Sequence, residues 1–343
     1  MPPLDPPAAR DTRHDLAIHG GRLAAARLAF PKAPEPWIDL STGINPHAYP
    51  VGALDPAVWR RLPDPAALER LETAARACYG APEETAVIAA PGTQALIQIL
   101  PQVRPCRRVA ILGFGYQGHA EAWRRAGADP TVVSDLDALA AAEVGVVINP
   151  NNPDGRCVAP DALAAVADRM AASGGLLIVD EAFADVATPD GSAVPRLGGE
   201  SLLVLRSFGK FFGLAGIRLG FALGPARLCA ALAAQLGDWA VSGPAIALGI
   251  PALRDQAWQA AARERLAVEA GRLDMLLSTA GGHVLGGTSL FRLVRHPRAA
   301  DLFERLGRAG ILVRPFREEP TWLRFGLPAD EAAWERLARA LPP

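Results

Sequence analysis

Leu176-Leu177-Ile178-Val179-Asp180-Glu181-Ala182-Phe183 sets an unbroken apolar run directly before two acids. A strand with one wet face alternates apolar and polar side chains. A continuous apolar run therefore belongs to a strand covered on both faces, as in a parallel sheet between helices. Val144-Gly145-Val146-Val147-Ile148 has the same character, and Ala86–Ala90, Val109–Leu112, Ser201–Leu205 and Ile217–Leu223 extend the series. Helical patterns stand between them, one from about Thr93 and another through Trp123. The alternation predicts an α/β chain whose large domain, residues 49–240, carries a mostly parallel sheet flanked by helices. Prolines spaced through residues 1–48 predict an irregular N-terminal arm that joins a smaller domain. After about residue 240 the pattern changes. A long Ala/Arg/Glu helix is expected from Trp258 to Ser278, with short strands at 288–294, 311–314 and 322–326. With helices at about 300–309 and 329–340, residues 241–343 read as a small C-terminal α+β domain.

At 343 residues and 50% apolar, the chain can bury a sizeable core. A net charge of −1 gives no reason to expect nucleic acid or an anionic membrane as partner. Cys78, Cys106, Cys157 and Cys229 form no CxxC pair, and the six histidines have no ligand spacing, so no metal site is expected. The first 20 residues are Pro-rich and carry Asp5, Asp11 and Asp15, unlike a signal peptide. The most apolar stretch, roughly 228–253, is broken by Gln235, Asp238, Gly243 and Pro244, so no membrane span is predicted. A cytoplasmic protein is the expectation.

Only two of the 35 basic residues are lysines, Lys32 and Lys210. The second lies in Ser207-Phe208-Gly209-Lys210-Phe211-Phe212-Gly213-Leu214. Arginine serves wherever a plain positive charge is wanted, so Lys210 is a candidate for amine chemistry that a guanidinium cannot perform. An apolar surround favours that chemistry by lowering the amine's pKa.

Four separated motifs match the needs of pyridoxal phosphate, which has an aldehyde, a pyridine nitrogen, a phenolic oxygen and a phosphate. Lys210 supplies the amine for a Schiff base. Asp180, at the end of an apolar strand, can keep the pyridine nitrogen protonated; alone, it reads equally as a solvated strand-end acid. Asn152, in Asn149-Pro150-Asn151-Asn152-Pro153-Asp154-Gly155, can donate to the phenolic oxygen, although these are also turn formers. Ser207 and Arg218 flank the lysine and can bind phosphate, and Gly92-Thr93-Gln94 opens a helix whose N–H groups can complete that site.

A rival stands in Gly113-Phe114-Gly115-Tyr116-Gln117-Gly118, a GxGxxG after a strand and before a helix, with Asp135 where a ribose-binding acid would sit. A nicotinamide-dependent enzyme accounts for that motif but leaves the four motifs above unexplained.

Together these segments resemble the fold-type I pyridoxal-phosphate enzymes of the class I/II aminotransferase superfamily. The likeness spans nearly the whole chain and rests on Ser207-Phe208-Gly209-Lys210, Gly216-Ile217-Arg218-Leu219-Gly220, Asn149-Pro150-Asn151-Asn152-Pro153 and Asp180-Glu181-Ala182-Phe183. The resemblance implies Lys210 as the Schiff-base lysine, Asp180 on the pyridine nitrogen and Asn152 by the phenolic oxygen. It implies Tyr116 stacked on the ring, and Gly92, Thr93, Gln94, Ser207 and Arg218 around the phosphate. Arg324, in Trp322-Leu323-Arg324-Phe325-Gly326, matches the arginine for a substrate α-carboxylate. Within the superfamily the chain is similar to the L-threonine-O-3-phosphate decarboxylases of cobalamin biosynthesis, on His19-Gly20-Gly21, on Asp39-Leu40-Ser41-Thr42-Gly43-Ile44-Asn45-Pro46 and on Arg314. That likeness implies His19, Gly20, Gly21, Asn152, Arg314 and Arg324 at a phosphorylated amino acid, and a homodimer. Read on their own, His19 and Arg314 are equally solvent-exposed residues.

Three positions depart from the family pattern. Phe183 replaces a tyrosine that donates to the phenolic oxygen, Leu62 a tyrosine that reaches the phosphate across the dimer, and Asp154 the threonine of the Asn-Pro turn. Decarboxylation and transamination of histidinol phosphate or a related amine use the same residues, so the residues alone leave that choice open. A non-catalytic sensor is the third alternative, but residues 1–48 offer it no DNA-binding domain.

Overall fold

The computed structural model, which describes Leu16 and residues 20–187 and 191–342, divides into two units. His47–Leu266 forms one, and the described residues before and after it form the other.

The larger unit is built on a seven-stranded sheet in the order Ala86–Ala90, Gly220–Gly224, Leu202–Ser207, Leu176–Asp180, Val144–Ile148, Arg108–Leu112, Asp129–Val133. All neighbours are parallel except Gly220–Gly224, which runs against both of its own. Every residue of Val144–Ile148, Leu176–Asp180 and Leu202–Ser207 is buried, as the unbroken apolar runs predict. On one face Val109, Ile111, Val144, Val146, Leu176, Ile178, Leu203 and Leu205 meet Leu96, Ile97, Leu100, Trp123 and Leu232 of the covering helices. Each such side chain contributes about 1.5–3 kcal/mol of burial, several times any difference in β-propensity, so packing decides the fold.

Local signals fix the ends of elements. Helix Pro65–Tyr79 starts at Asp64, whose side chain accepts from Ala66 N, and stops at a left-handed Gly80. The sequence boundary at about 240 falls short of the contact boundary at Leu266. Helix Gly243–Arg254 packs on Pro65–Tyr79 and buries Ala245, Ile246, Leu248, Gly249, Ala252 and Leu253, so the apolar stretch after Trp239 is mostly core of the larger unit.

The smaller unit holds a four-stranded antiparallel sheet, Arg314–Pro315, Trp322–Gly326, Phe291–Arg295, His283–Thr288. The single strand expected at 288–294 is a hairpin turning at Ser289-Leu290; Gly286-Gly287 gave its first strand too little apolar signal. Ile217–Leu223 likewise starts as a strand only at Gly220, after a 3-10 turn at Ala215–Ile217. The N-terminal arm is less irregular than its prolines suggest. It carries helix Leu23–Ala29, whose Ala26 packs with Phe30, Trp37 and Leu312, and Ile38–Asp39 pairs in parallel with Ile311–Leu312.

Candidate active site

At the C-terminal ends of the parallel strands a cavity of about 290 Å³ is lined by Thr93, Gln94, Ile97, Tyr116, Ile148, Asn152, Asp180, Ala182, Phe183, Ser207, Lys210 and Arg218. Eight of these come from the sequence reading, and strand ends are where open α/β sheets place ligands. A larger groove of about 660 Å³, near Pro63, Leu68, Trp239 and Ile246, has no amine, guanidinium or hydroxyl side chain in its lining. Chemistry, not size, identifies the site.

Asp180 ends strand Leu176–Asp180 and is buried. Its Oδ1 accepts from Ala182 N, and its Oδ2 lies 2.9 Å from His119 Nε2. A carboxylate accepts, so Nε2 carries the proton and His119 orients the acid. His119 is fully buried on helix Gly118–Arg125 and was not singled out in the sequence. The available signal was physical: a carboxylate at a buried strand end needs a donor, and His119 follows directly on the Tyr116 loop.

Ser207 closes strand Leu202–Ser207, and Lys210 sits on the short helix Phe208–Phe211 that follows. Phe208, Phe211 and Phe212 are almost completely buried; Phe208 stacks on Phe212 at 4.2 Å between centroids, and Phe212 on Trp258 at 5.7 Å. These aromatic anchors hold the lysine turn while Lys210 Nζ projects 5.8 Å from the Phe183 ring centroid. Phe183 makes that wall apolar.

The end of the cavity beside Arg218 is a cradle made by missing side chains. Gly92 has φ +84 and caps helix Thr93–Val103 without a side chain; a Cβ there would stand 2.6 Å from Arg218 Nη2. A Cβ on Gly220 would stand 2.6 Å from Thr93 N. Two glycines thus leave the first N–H groups of an 11-residue helix beside a guanidinium, an arrangement that suits an anion. Arg218 itself has φ 53, left-handed backbone of the kind retained at functional sites.

Tyr116 OH donates to Gln94 Oε1 at 2.7 Å. The Gly113–Gly118 motif therefore has another purpose: a Cβ on Gly118 would strike the Tyr116 ring, and Asp135 caps helix Leu136–Ala140 by accepting from Ala138 N. Asn152 is presented by a turn that Asp154 organises, its Oδ1 accepting from Asn151 Nδ2 and Arg156 N. Asp154 thereby supplies the turn for which the resemblance implies a threonine.

The remaining predicted residues lie in the smaller unit, except His19, which is outside the described residues. Arg314 and Arg324 face each other across paired strands. Arg324 is buried, its Nη2 donates to Ser41 O at 2.7 Å, and its guanidinium lies over the Phe291 ring. Burial first, then Arg314, pushes its pKa down to about 9, with Asp39 opposing. A buried cation beside a like charge favours an anion as ligand. Gly20 packs against Ser41 O, and Gly21 N donates to Ser41 Oγ, which donates to Asp39 Oδ1 at 2.5 Å. Asp39 and Ser41, quoted in the sequence only as part of a segment, are thus the link between Gly20-Gly21 and Arg324. Among the described residues no cluster of three metal-ligating side chains exists, and no helix is long and apolar enough to cross a membrane.

The family model for aminotransferase class I and II matches residues 35–341. Threonine-phosphate decarboxylases from Sinorhizobium sp and from Pseudomonas aeruginosa are each 47% identical to this chain, over 94% of it and over 97% and 96% of their own lengths. Among solved structures, histidinol-phosphate aminotransferase from Sinorhizobium meliloti in complex with pyridoxal-5'-phosphate superposes with a TM-score of 0.78 at 21% identity, covering 98% of this chain and 97% of that one.

Proposed function

The chain belongs to the aminotransferase class I and II family, and on that premise we propose that it is a pyridoxal-phosphate-dependent lyase that decarboxylates L-threonine O-3-phosphate. The observation that carries the substrate is the near full-length likeness to two threonine-phosphate decarboxylases. The cavity fits the cofactor group by group: an amine at Lys210, a buried acid at Asp180, a donor at Asn152, a ring at Tyr116, and the glycine-lined cradle with Ser207 and Arg218 for the phosphate. Bound there, pyridoxal phosphate supplies an aldehyde that condenses with amines and a ring that takes up the electron pair left on Cα.

Each protein group has a task in that chemistry. Lys210 would hold the cofactor through its amine and, once released, would be the group at hand to carry a proton. Asp180, oriented by His119, keeps the pyridine nitrogen protonated. Thr93, Gln94, Ser207 and Arg218 would hold the phosphate, and Tyr116 would supply a face for the ring. Arg324 is assigned to the substrate carboxylate and Arg314 to its phosphate, with His19, Gly20 and Gly21 assisting. By fixing the two anionic groups of the substrate, the arginines would determine which bond to Cα is oriented for cleavage. Loss of the carboxylate as carbon dioxide would leave Cα in need of a proton, which Lys210 or a water would supply. The product is (R)-1-amino-2-propanol phosphate, a step of cobalamin biosynthesis. Phe183, without a hydroxyl, and histidinol phosphate, without a carboxylate for Arg324, argue against the alternative aminotransferase. The enzyme is placed in the cytoplasm, in keeping with four free cysteines. It is placed there as a homodimer, in keeping with the exposed Trp59, Leu62 and Trp239 of the larger unit.

Incubation of the pyridoxal-phosphate-loaded protein with L-threonine O-phosphate, without any keto acid, tests this by mass spectrometry. Aminopropanol phosphate is the expected product. Conversion of histidinol phosphate that depends on 2-oxoglutarate, with no aminopropanol phosphate, would overturn the substrate and leave the cofactor residues standing.

A further inference from the structure

We propose that Arg206 is a positioning residue of the cofactor cavity, one buried guanidinium that grips both ends of the wall segment between Glu181 and Asp185 and thereby sets Asp180 and Phe183. The inference rests on the pyridoxal-phosphate reading of the cavity.

Side chains alternate along a strand, so the neighbours of cavity residues face away from the cavity. Asp180 and Ser207 line it; Glu181 and Arg206, each one peptide bond away, turn to the other face. There Arg206, only 5% exposed, donates from Nη1 to Glu181 Oε2 at 2.7 Å and from Nη2 to Asp185 Oδ1 at 2.5 Å. The Tyr79 ring lies 4.3 Å from the guanidinium carbon. Glu181 is held again by Ser192 Oγ and Ala193 N, both at 2.6 Å, and Arg263 Nε donates to the Asp185 carbonyl at 2.8 Å.

The placement matters because the sheet ends here. Asn149 N reaches Asp180 O and Glu181 N reaches Leu205 O, both at 2.9 Å, and the strand stops at Asp180. From Glu181 to Ala187 the described backbone bonds are local turns, Ala184 N to Glu181 O and Ala187 N to Ala184 O. Ala182 and Phe183, the cavity wall, fall between the two carboxylates that Arg206 holds. The fork takes over where the ladder of backbone bonds leaves off. Three buried ions carry a large desolvation penalty that close pairing offsets only in part, so such a cluster contributes fixed geometry more than net stability. A planar fork can hold two carboxylates at once, which an ammonium on a flexible stem does poorly.

The test uses full-length Asp185→Asn and Arg206→Lys, compared with wild type in two ways. Amide hydrogen exchange of the protein without cofactor is followed over residues 180–187 and over strand Leu202–Ser207. Pyridoxal phosphate is then titrated by visible absorbance. The expected result is about tenfold faster exchange over 180–187, with Leu202–Ser207 unchanged, and about tenfold weaker cofactor binding, the scale on which outer partners act on a bound group. Exchange and affinity within twofold of wild type in the folded variants would overturn the proposal. So would exchange that rises evenly across the sheet, the mark of a merely structural role. If Arg206→Lys does not fold, Asp185→Asn, which keeps the guanidinium on Glu181, decides alone. A wild type that binds no pyridoxal phosphate would sink the cofactor reading, while the exchange comparison would still decide whether Arg206 holds the segment.

Discussion

Replacing Gly220 with alanine tests whether the anion cradle depends on a close approach of strand and helix. The new Cβ would stand 2.6 Å from Thr93 N, 3.0 Å from Gly92 C and 3.1 Å from Arg206 O, all backbone atoms. Ordinary contact begins at 3.4 Å, so the helix start must retreat by about 0.8 Å (3.4 − 2.6). Gly220 cannot retreat instead, because it is paired with Ala90 on one side and Ser207 on the other. Overpacking of this kind costs about 1–3 kcal/mol. At roughly 2–4 °C per kcal/mol for a unit of this size, the melting temperature of the cofactor-free protein should fall by roughly 2–12 °C. The phosphate loses more, since a misplacement near 1 Å costs up to about 10²-fold at a site held by fixed donors. Pyridoxal phosphate titrated by visible absorbance should therefore bind about 10–100-fold more weakly. Gly216→Ala, which meets nothing within 4 Å, is the matched control and should behave as wild type. Unaltered cofactor affinity in Gly220→Ala would refute the claim that this glycine shapes the phosphate site.

Lys210→Ala should lower turnover by at least about 10⁴-fold and abolish borohydride trapping of the cofactor on the peptide containing residue 210, checked by mass spectrometry. His119→Phe should leave Asp180 without its side-chain donor and lower kcat/KM about 10–100-fold, measured with threonine phosphate; unaltered kinetics would show that the acid needs no orientation. Burial and the neighbouring Arg314 bring the pKa of Arg324 down to about 9, which weakens its hold on its charge at high pH. The KM for threonine phosphate should accordingly rise as pH passes about 9, and Asp39→Asn, which removes a charge that supports the cation, should bring the rise to lower pH. For folding the sign is reversed: the unfolded side chain keeps its proton to much higher pH, so the burial penalty is fully present below about 9 and is relieved as pH rises above it. Thermal denaturation of wild type and Arg324→Met across that window checks it.

The parallel sheet was legible because Val144–Ile148 and Leu176–Val179 are apolar without interruption, a pattern that only two-sided burial explains. Eight residues lining the cavity were legible because each group of the proposed ligand demands a different residue type. His119 was not, since its meaning comes from Asp180 Oδ2, brought to it by two parallel strands from far along the chain. Arg206 was hidden for the same reason: one more arginine among many in the sequence, it gains its importance from Glu181 and Asp185. The hairpin at 283–295 escaped because its glycines carry no apolar signal. The GxGxxG motif misled because glycine also makes room for a neighbouring ring.

Strand Gly220–Gly224 runs against its neighbours, and Ala86–Ala90 beyond it is the sheet's edge. The cradle's two halves, Gly92-Thr93 and Gly220, are thus joined through the last pairing on that side. Fraying of that edge opens the cradle, and a phosphate spanning it opposes the fraying. Cofactor loading should act as a clasp, slowing amide exchange at the outermost strand more than in the buried centre, so that the margin of the sheet, not its middle, reports whether the protein is charged for work.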